Sequence, residues 1–314
     1  FSFYRGNVEA IYPTQNTAKN ASPYFPANQF ATLPITPDFL VVGDFNADGH
    51  ADVATAARND SALYLLAGDG QGRFAEAVAM GLNGEVTGLA AGEINRVDGL
   101  ADLAVALNSP AGASVLLLTG AEGAWTAQPQ TFALAQTATS LEFAHLTRDG
   151  LSDLAVAAGN ELVVFEGGQQ APRMTRTRLS FVPEALAVGR FTATAQEQIA
   201  LLARDGSLSV ASYQRATERR ASNRSRANSG WQVASYVSDA SARSENASSR
   251  QLLRTRVSAS KHDDLLTLHG NQLQFITNAD APQRAATMLE GALDLVAALP
   301  LRTNASALQG LALL

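Results

Sequence analysis

Short apolar runs that alternate with polar turns recur along the chain, and they predict β-strands. In the clearest copies an apolar run leads into a polar turn ending in Asp-Gly-x-x-Asp, and a second apolar run follows. These copies span residues 39–57, 88–107 and 141–158. Their closing aspartates, Asp52, Asp102 and Asp153, are 50 and 51 residues apart. A helical repeat would need apolar residues three and four apart, so the pattern predicts a β-repeat of about fifty residues.

Fainter copies continue the repeat towards the C-terminus. Residues 186–202 keep both apolar runs, but the turn between them has lost its acidic side chains. Residues 252–268 keep only Asp263 and Asp264, and residues 293–314 form an incomplete copy. The repeat therefore occurs six times, with the last copy unfinished.

A second pair of strands is predicted after each of the first three copies. Residues 62–66 are apolar, and a glycine-rich turn at 68–72 leads to Phe74. This pattern is typical of a strand, a hairpin turn and another strand. Four short strands per repeat fit the blade of a β-propeller. A large β-sandwich is the alternative, but a sandwich does not require a fixed repeat.

We therefore predict an all-β fold, a single β-propeller domain over residues 1–314. It has four-stranded blades, six in number, with seven as the alternative. Residues 8–12 and 25–33 are expected to supply the missing half of the last blade, so that N- and C-terminal strands close the ring and remove free sheet edges. The expected blades are 35–83, 84–136, 137–182, 183–237, 250–290, and 291–314 together with 1–34.

Composition narrows the classes of function. The chain has no cysteine, which excludes disulfide scaffolds and thiolate chemistry. A net charge of −6 argues against nucleic acid as the main partner. No apolar run approaches the roughly 18 residues of a membrane span. The first residue is Phe1, so we expect a processed or trimmed start.

The first polar turn has the donors of a calcium site. Oxygen side chains stand at its positions 1, 3, 5 and 9, and these are Asp44, Asn46, Asp48 and Asp52. The backbone carbonyl of His50 near position 7 can complete the shell. Several hard oxygen donors suit Ca²⁺ rather than zinc or copper. An EF-hand is rejected because the flanks are strands and position 12 is Thr55, where that motif needs glutamate.

The pattern Asp-x-Asn-x-Asp-Gly-x-x-Asp between two strands, followed by Leu-Leu-x-Gly-x-Gly-x-Gly-x-Phe, resembles the FG-GAP/VCBS repeats of integrin α-chain heads and many exported bacterial proteins. The resemblance is strong over residues 39–80, fair over 86–165 and faint from 184 onward. It implies Ca²⁺ in the loop between the first two strands of a blade, an extracellular setting and often seven blades.

Two further turns match the metal-binding pattern less closely. The second offers Glu93, Asn95, Asp98 and Asp102, with one extra residue between the middle pair. The third offers Thr147, Asp149 and Asp153. Its first position is His145, and imidazole is a poor calcium ligand. In each turn the alternative is an Asx-type turn that its own backbone hydrogen bonds stabilise without a metal.

Catalytic motifs are absent from the sequence, so we expect recognition of a protein or glycan rather than an enzyme. The densest titratable cluster, residues 261–264, is interpreted as a decayed metal turn on the surface. An arginine-rich insertion at 214–230 is interpreted as either a basic finger or a solvated loop. A lectin, a polysaccharide lyase or hydrolase, and a purely structural domain stay open as alternatives. We expect a secreted, cell-surface or periplasmic location, and either a monomer or one part of a larger multidomain chain.

Overall fold

Strands make up nearly all of the regular structure in this computed structural model. The structure describes residues 2–3, 6–12, 22, 24–26, 29–147, 149–169, 171–194, 196–214, 230–237, 250–269, 272–277, 285–290, 298–301 and 308–313. The prediction of an all-β fold is confirmed. No helix in these ranges is both long and apolar enough to cross a bilayer.

Five antiparallel sheets of four strands each follow one another along the chain and form the blades of a β-propeller. The elements before them are β1 (Ser2–Phe3), α1 (Val8–Ile11) and β2 (Gln29–Phe30). Blade 1 consists of β3 (Phe39–Gly43), β4 (Asp52–Ala56), β5 (Ala62–Leu66) and β6 (Val78–Gly81). Blade 2 consists of β7 (Glu85–Gly92), β8 (Asp102–Ser109), β9 (Gly112–Leu118) and β10 (Gln130–Ala133), with a 3₁₀ turn at Ala124–Thr126.

The remaining blades repeat this order. Blade 3 consists of β11 (Ala138–Ala144), β12 (Asp153–Ala158), β13 (Glu161–Glu166) and β14 (Arg173–Arg178). Blade 4 consists of β15 (Pro183–Gly189), β16 (Gln198–Ala203), β17 (Leu208–Gln214) and β18 (Gly230–Val237). Blade 5 consists of β19 (Arg250–Thr255), β20 (Asp264–His269), β21 (Gln272–Thr277) and β22 (Ala285–Glu290). A two-stranded sheet of β23 (Ala298–Leu301) and β24 (Gly310–Leu313) follows.

The first strand of each blade lies nearest the axis, because the first strands of successive blades contact one another. Second strands lie between neighbouring blades, and every residue of β4, β12 and β16 is buried. This explains why these strands are apolar on both faces. The outer strand β14 instead alternates partly exposed and exposed residues for most of its length.

The core consists of a series of apolar clusters, each shared by two consecutive blades. Phe45 and Leu63 of blade 1 pack with Leu103 of blade 2. The same arrangement joins each later pair of blades. The last cluster packs Ala298 of β23 against Leu266 of blade 5, so β23 continues the series.

The predicted count of six blades, or seven, is wrong for complete blades, since the described residues form five. The sixth copy of the repeat forms only the two-stranded sheet β23–β24. In the described residues β1 pairs with β2, and neither joins the C-terminal sheet. Residues 8–12, predicted as a strand, contain the helical turn α1 instead, because the Asn7 side chain accepts a hydrogen bond from the Ala10 amide and caps it.

Candidate functional site

The predicted metal turns all connect the first strand of a blade to its second strand, so they lie on one face of the propeller. We number these turns by blade as turn 1 (44–51), turn 2 (93–101), turn 3 (145–152), turn 4 (190–197) and turn 5 (256–263). Glycines with φ of +84°, +83° and +86° make the sharp bend in the first three, and they are Gly49, Gly99 and Gly150. Only glycine adopts this left-handed conformation without strain.

The first residue of each second strand, which we call the closing residue, fastens the turn before it. It is Asp52, Asp102, Asp153, Gln198 or Asp264, and each side chain is at most 3% exposed. Asp52 accepts a hydrogen bond from the Phe45 amide at 3.1 Å through Oδ2 and from the Gly68 amide at 2.9 Å through Oδ1. The closing carboxylate therefore ties its own turn to the loop after the third strand. The sequence analysis predicted Asp52, Asp102 and Asp153 as metal ligands and did not predict this contact with the loop after the third strand.

Burial changes the protonation of the closing aspartates. It raises the pKa of Asp102 to about 6, although hydrogen bonds from the Ile94 and Asn95 amides oppose the shift. Burial also raises the pKa of Asp52 and of Asp153. Their hydrogen bonds to backbone amides favour the charged form but do not compensate fully for the loss of water.

Turn 1 contains a carboxylate oxygen that lacks a hydrogen-bond donor among the described residues. Among the described residues, Oδ1 of Asp44 is buried and has no hydrogen-bond partner. Its Oδ2 accepts the Gly49 amide at 2.9 Å. The Asn46 side chain donates to Asp48 Oδ2 at 2.9 Å, and Asp48 Oδ1 accepts the His50 amide at 2.8 Å. These hydrogen bonds lower the pKa of Asp48, so its carboxylate is charged at neutral pH.

These observations make turn 1 compatible with a cation. A buried carboxylate oxygen without a donor is costly unless an ion or water satisfies it. No three carboxylate or imidazole side chains of the described residues converge closely enough to hold a metal by themselves. The expected set at turn 1, however, also includes the Asn46 amide oxygen and the His50 carbonyl.

Turn 2 fits a cation less well, because a neighbouring arginine competes for its acidic side chain. Arg96 Nε lies 3.2 Å from Asp98 Oδ2, and Asp98 Oδ1 accepts the Leu100 amide at 3.1 Å. Asp102 is engaged as the closing residue. The structure thus gives two of the four predicted ligands, Asp98 and Asp102, partners within the protein; the other two are Glu93 and Asn95.

In turns 3, 4 and 5 a hydroxyl group lies where turn 1 has Asn46. The Thr147 hydroxyl donates to Asp149 Oδ1 at 2.9 Å and lies 3.4 Å from Asp153 Oδ1. Ser258 and Thr192 make the equivalent contact with their closing residues, at 2.7 and 2.9 Å. Each hydroxyl supplies a donor to the closing side chain, so these turns are fastened by hydrogen bonds within the chain.

A repeated contact joins each turn to the next repeat. The first residue of a turn hydrogen-bonds to the residue just before the closing residue of the next blade. The backbone pairs Asp44–Ala101 and Glu93–Ser152 do so at 3.0 and 2.9 Å. Between blades 3 and 4, the His145 amide donates to the Glu197 carboxylate at 2.7 Å.

The two later joints border a cleft of charged side chains on the same face. Asp263 pairs with the Arg190 backbone through its own amide and through Oδ2, and the Gln309 amide donates to the Arg256 carbonyl at 2.7 Å. The cleft has a volume of about 570 Å³. We call it the charged cleft, and its charged lining is Arg190, Glu197, Arg254, Arg256, Lys261 and Asp263.

The carboxyl group of Glu142 also lies close to the charged cleft. Glu142 of β11 accepts the Val188 amide at 3.2 Å and is within electrostatic reach of Arg254 and Glu197. Burial raises its pKa to about 7, against the opposing effects of the Val188 hydrogen bond and of Arg254. No motif in the sequence indicated this group, because Glu142 is in blade 3 and its neighbours come from blades 4 and 5.

The structure locates the titratable cluster at residues 261–264 and the ends of the arginine-rich insertion. Within residues 261–264, Asp264 is a closing residue, Asp263 forms the joint to blade 4, and Lys261 lines the charged cleft. The arginine-rich insertion lies, apart from its ends at 214 and 230, outside the described residues.

Comparison with known proteins agrees with the geometry of the blades. Residues 44–96 match the family model of an FG-GAP-like repeat. No curated protein matches the chain in sequence. The crystal structure of BBS1N in complex with ARL6DN, soaked with mercury, is similar in fold: it has a TM-score of 0.55 and 14% identity, covering 92% of this chain and 79% of that chain.

Another solved structure, that of a protein of unknown function from Bacteroides caccae, is 7% identical with a TM-score of 0.44, covering 79% of this chain and 78% of that chain. The repeat match extends from turn 1 into turn 2 and so covers the site with the unpaired carboxylate oxygen. Together with the four-stranded blades, this match shows that the chain is a β-propeller carrying an FG-GAP-like repeat over residues 44–96.

Proposed function

We propose that the chain is a calcium-binding recognition module that acts outside the cytoplasm, as a secreted, cell-surface or periplasmic protein. The observation that carries the calcium proposal is the buried Asp44 Oδ1, which lacks a hydrogen-bond donor among the described residues. A rigid ring of blades with a polar turn face suits recognition of a protein or glycan, because loops on a fixed scaffold carry binding residues.

Turn 1 is the preferred calcium site. Its ligands would be Asp44, Asn46, Asp48 and Asp52 with the backbone carbonyl of His50. Bound calcium neutralises the crowded carboxylates and ties the turn between two strands. The corresponding sets in the other turns are Glu93, Asn95, Asp98 and Asp102 in turn 2, and Thr147, Asp149 and Asp153 in turn 3. We rank them below turn 1 because the buried carboxylate oxygen that lacks a partner among the described residues is in turn 1, and because Arg96 already pairs with Asp98 in turn 2.

Isothermal titration with calcium tests this proposal. Asp48→Asn and Asp149→Asn remove the same charge at the same position of turns 1 and 3, so each variant controls for the other. We expect Asp48→Asn to weaken the tightest binding step by about tenfold or more, since carboxylate count sets calcium affinity. Asp149→Asn should leave that step unchanged. Equal effects of the two variants, or no calcium binding by the unchanged protein, would contradict the proposal.

Protein recognition is the favoured form of the module. The similar structure of BBS1N was solved as a complex with a partner, ARL6DN, which supports binding of protein partners by this fold in general. A lectin is the alternative, and it requires calcium-dependent binding to sugars. Screening a glycan array with and without calcium distinguishes the two, because a lectin would retain specific sugars on the array only when calcium is present.

A glycan-active enzyme remains a second candidate because of one specific feature. Glu142 and Glu197 lie near Arg254, and a carboxyl group with a pKa of about 7 can exchange protons at neutral pH. A lyase or hydrolase should release new sugar ends from acidic polysaccharides, with or without EDTA if these residues act alone. Retention of that activity by Glu142→Gln would exclude Glu142 as the acid or base.

A further inference from the structure

The charged cleft carries a local excess of positive charge in an acidic protein. Four cationic side chains and two carboxylates line it, whereas the whole chain has a net charge of −6. Turns 4 and 5 supply most of these groups, and these are the turns that have lost the acidic metal pattern. The electrostatic potential there favours an anion.

The two carboxylates of the cleft are already engaged within the protein. Glu197 accepts the His145 amide and lies 3.5 Å from Arg254, and Asp263 Oδ2 accepts the Arg190 amide. Within the described residues, in contrast, no carboxylate lies within ion-pair distance of the side chains of Arg190, Arg256 or Lys261. These cations are therefore free to bind an anion from solution.

The backbone beside the cleft leaves room for the Arg254 side chain. A Cβ atom at Gly189 would lie 2.7 Å from Arg254 Cδ and 3.0 Å from Asp263 Oδ2, so only glycine leaves room for this side chain. Arg254 extends across β15 towards Glu197 of turn 4. The cleft thus has one guanidinium that contacts Glu197 and packs against Gly189, and three further cations.

An unpaired hydroxyl group provides a second, independent indication of a ligand. Thr255 lines the cleft and is 1% exposed, and its Oγ1 has no hydrogen-bond partner among the described residues. Burying a hydroxyl without a partner is unfavourable. A ligand oxygen that reaches Thr255 would remove this deficit.

The chemistry of the lining favours a peptide over a sugar. All of its side chains are polar or charged, so it offers no aromatic ring for a pyranose to stack on. Guanidinium groups bind carboxylates through paired hydrogen bonds. We propose that the charged cleft binds an acidic segment of a partner protein, whose aspartate or glutamate carboxylates contact Arg190, Arg254 and Lys261. This inference rests on the recognition role proposed above and names the chemistry of the partner.

Fluorescence anisotropy on the full chain tests the inference. The probe is a labelled glutamate-rich peptide, compared with a lysine-rich peptide of equal length and with an oligogalacturonide. The test variant is Arg190→Gln/Lys261→Gln. Its control is Arg173→Gln/Arg178→Gln, which removes the same charge from exposed positions of the outer strand β14. Thermal unfolding of both variants confirms that each is folded.

The unchanged protein should bind the glutamate-rich peptide in a salt-sensitive manner. The test variant should bind this peptide at least about tenfold more weakly, because it loses charge-assisted hydrogen bonds to the peptide carboxylates. The control variant should bind with unchanged affinity. Absence of peptide binding, equal weakening in both variants, or preferential binding of the oligogalacturonide would overturn the inference. Asp48→Asn separates the two proposals. If this variant loses calcium binding but keeps its affinity for the peptide, the cleft proposal stands. If a protein ligand binds the chain and its affinity does not change in Arg190→Gln/Lys261→Gln, the cleft proposal is overturned and the recognition role is kept.

Discussion

Single buried side chains hold the turn face together, and the closing aspartates are the clearest case. The sequence shows their spacing, because it fixes the period of the repeat. It does not show that the carboxylate is nearly inaccessible to water, since that depends on the loop after the third strand folding back onto it. Asp153, for example, accepts the Leu146 and Thr147 amides on one oxygen and the Gly167 amide on the other.

Removing this carboxylate should be costly. Asp153→Ala leaves three backbone amides without an acceptor in a buried place, and we expect the free energy of unfolding to fall by about 3 kcal/mol. Urea titration in EDTA measures the change without any contribution from calcium. Glu122→Ala, at an exposed acidic residue, should stay within about 0.5 kcal/mol. A comparably small effect of Asp153→Ala would mean that the turn is held by other contacts.

Glu142 should make stability depend on pH. Burial raises its pKa from the usual 4.5 to about 7, so the folded protein holds a proton that the unfolded chain has lost. The stabilisation that protonated Glu142 contributes is complete below its pKa in the unfolded chain and is lost as pH rises through its pKa in the folded protein. Between these values the free energy of unfolding of the unchanged protein should fall by about 3 kcal/mol relative to Glu142→Gln. Parallel urea titrations across this range would show a constant difference if the pKa is not raised.

At the scale of the element, strands could be predicted wherever apolar runs are uninterrupted. Errors occur where a helix cap or a close contact between blades determines the local structure. Residues 8–12 have the composition of a strand, but Asn7 caps a helical turn there. The first strands also contain glycines that no propensity explains. Gly92 lies so close to Phe143 of the next blade that a Cβ would come within 2.5 Å of its ring.

Glycine is therefore required at position 92, where β7 meets β11. Gly92→Ala should force Phe143 to move and lower the free energy of unfolding by about 2 kcal/mol, as overpacking in a core does. Gly81→Ala is the matched control: Gly81 ends the outer strand β6, and a Cβ there meets nothing within 4 Å. This control should be neutral or slightly stabilising. Similar losses from both variants would show that backbone conformation, and not contact between blades, accounts for the effect.

At the scale of the whole molecule, the repeat predicts the ring but not how it ends or what its turn face binds. The sequence contains six copies of the pattern, yet the described residues form five complete blades and two two-stranded sheets. The charged cleft escaped prediction for a related reason. Its residues, such as Arg190 and Arg254, lie in copies where the motif has faded, so the repeat pattern gives no indication of them.

The C-terminal sheet should behave as part of the ring and not as an appendage, because it uses the contacts that join the blades. Ala298 is 5% exposed and packs on Leu266 of blade 5, while Leu299 beside it is 53% exposed. Ala298→Asp places a charge in this apolar cluster and should lower the free energy of unfolding by about 3 kcal/mol. Leu299→Asp should stay within about 0.5 kcal/mol. Hydrogen exchange distinguishes the outcomes: faster exchange in blade 5 at Leu266 supports a continuous ring, whereas a loss of protection confined to β23 and β24 would show that the sheet docks independently.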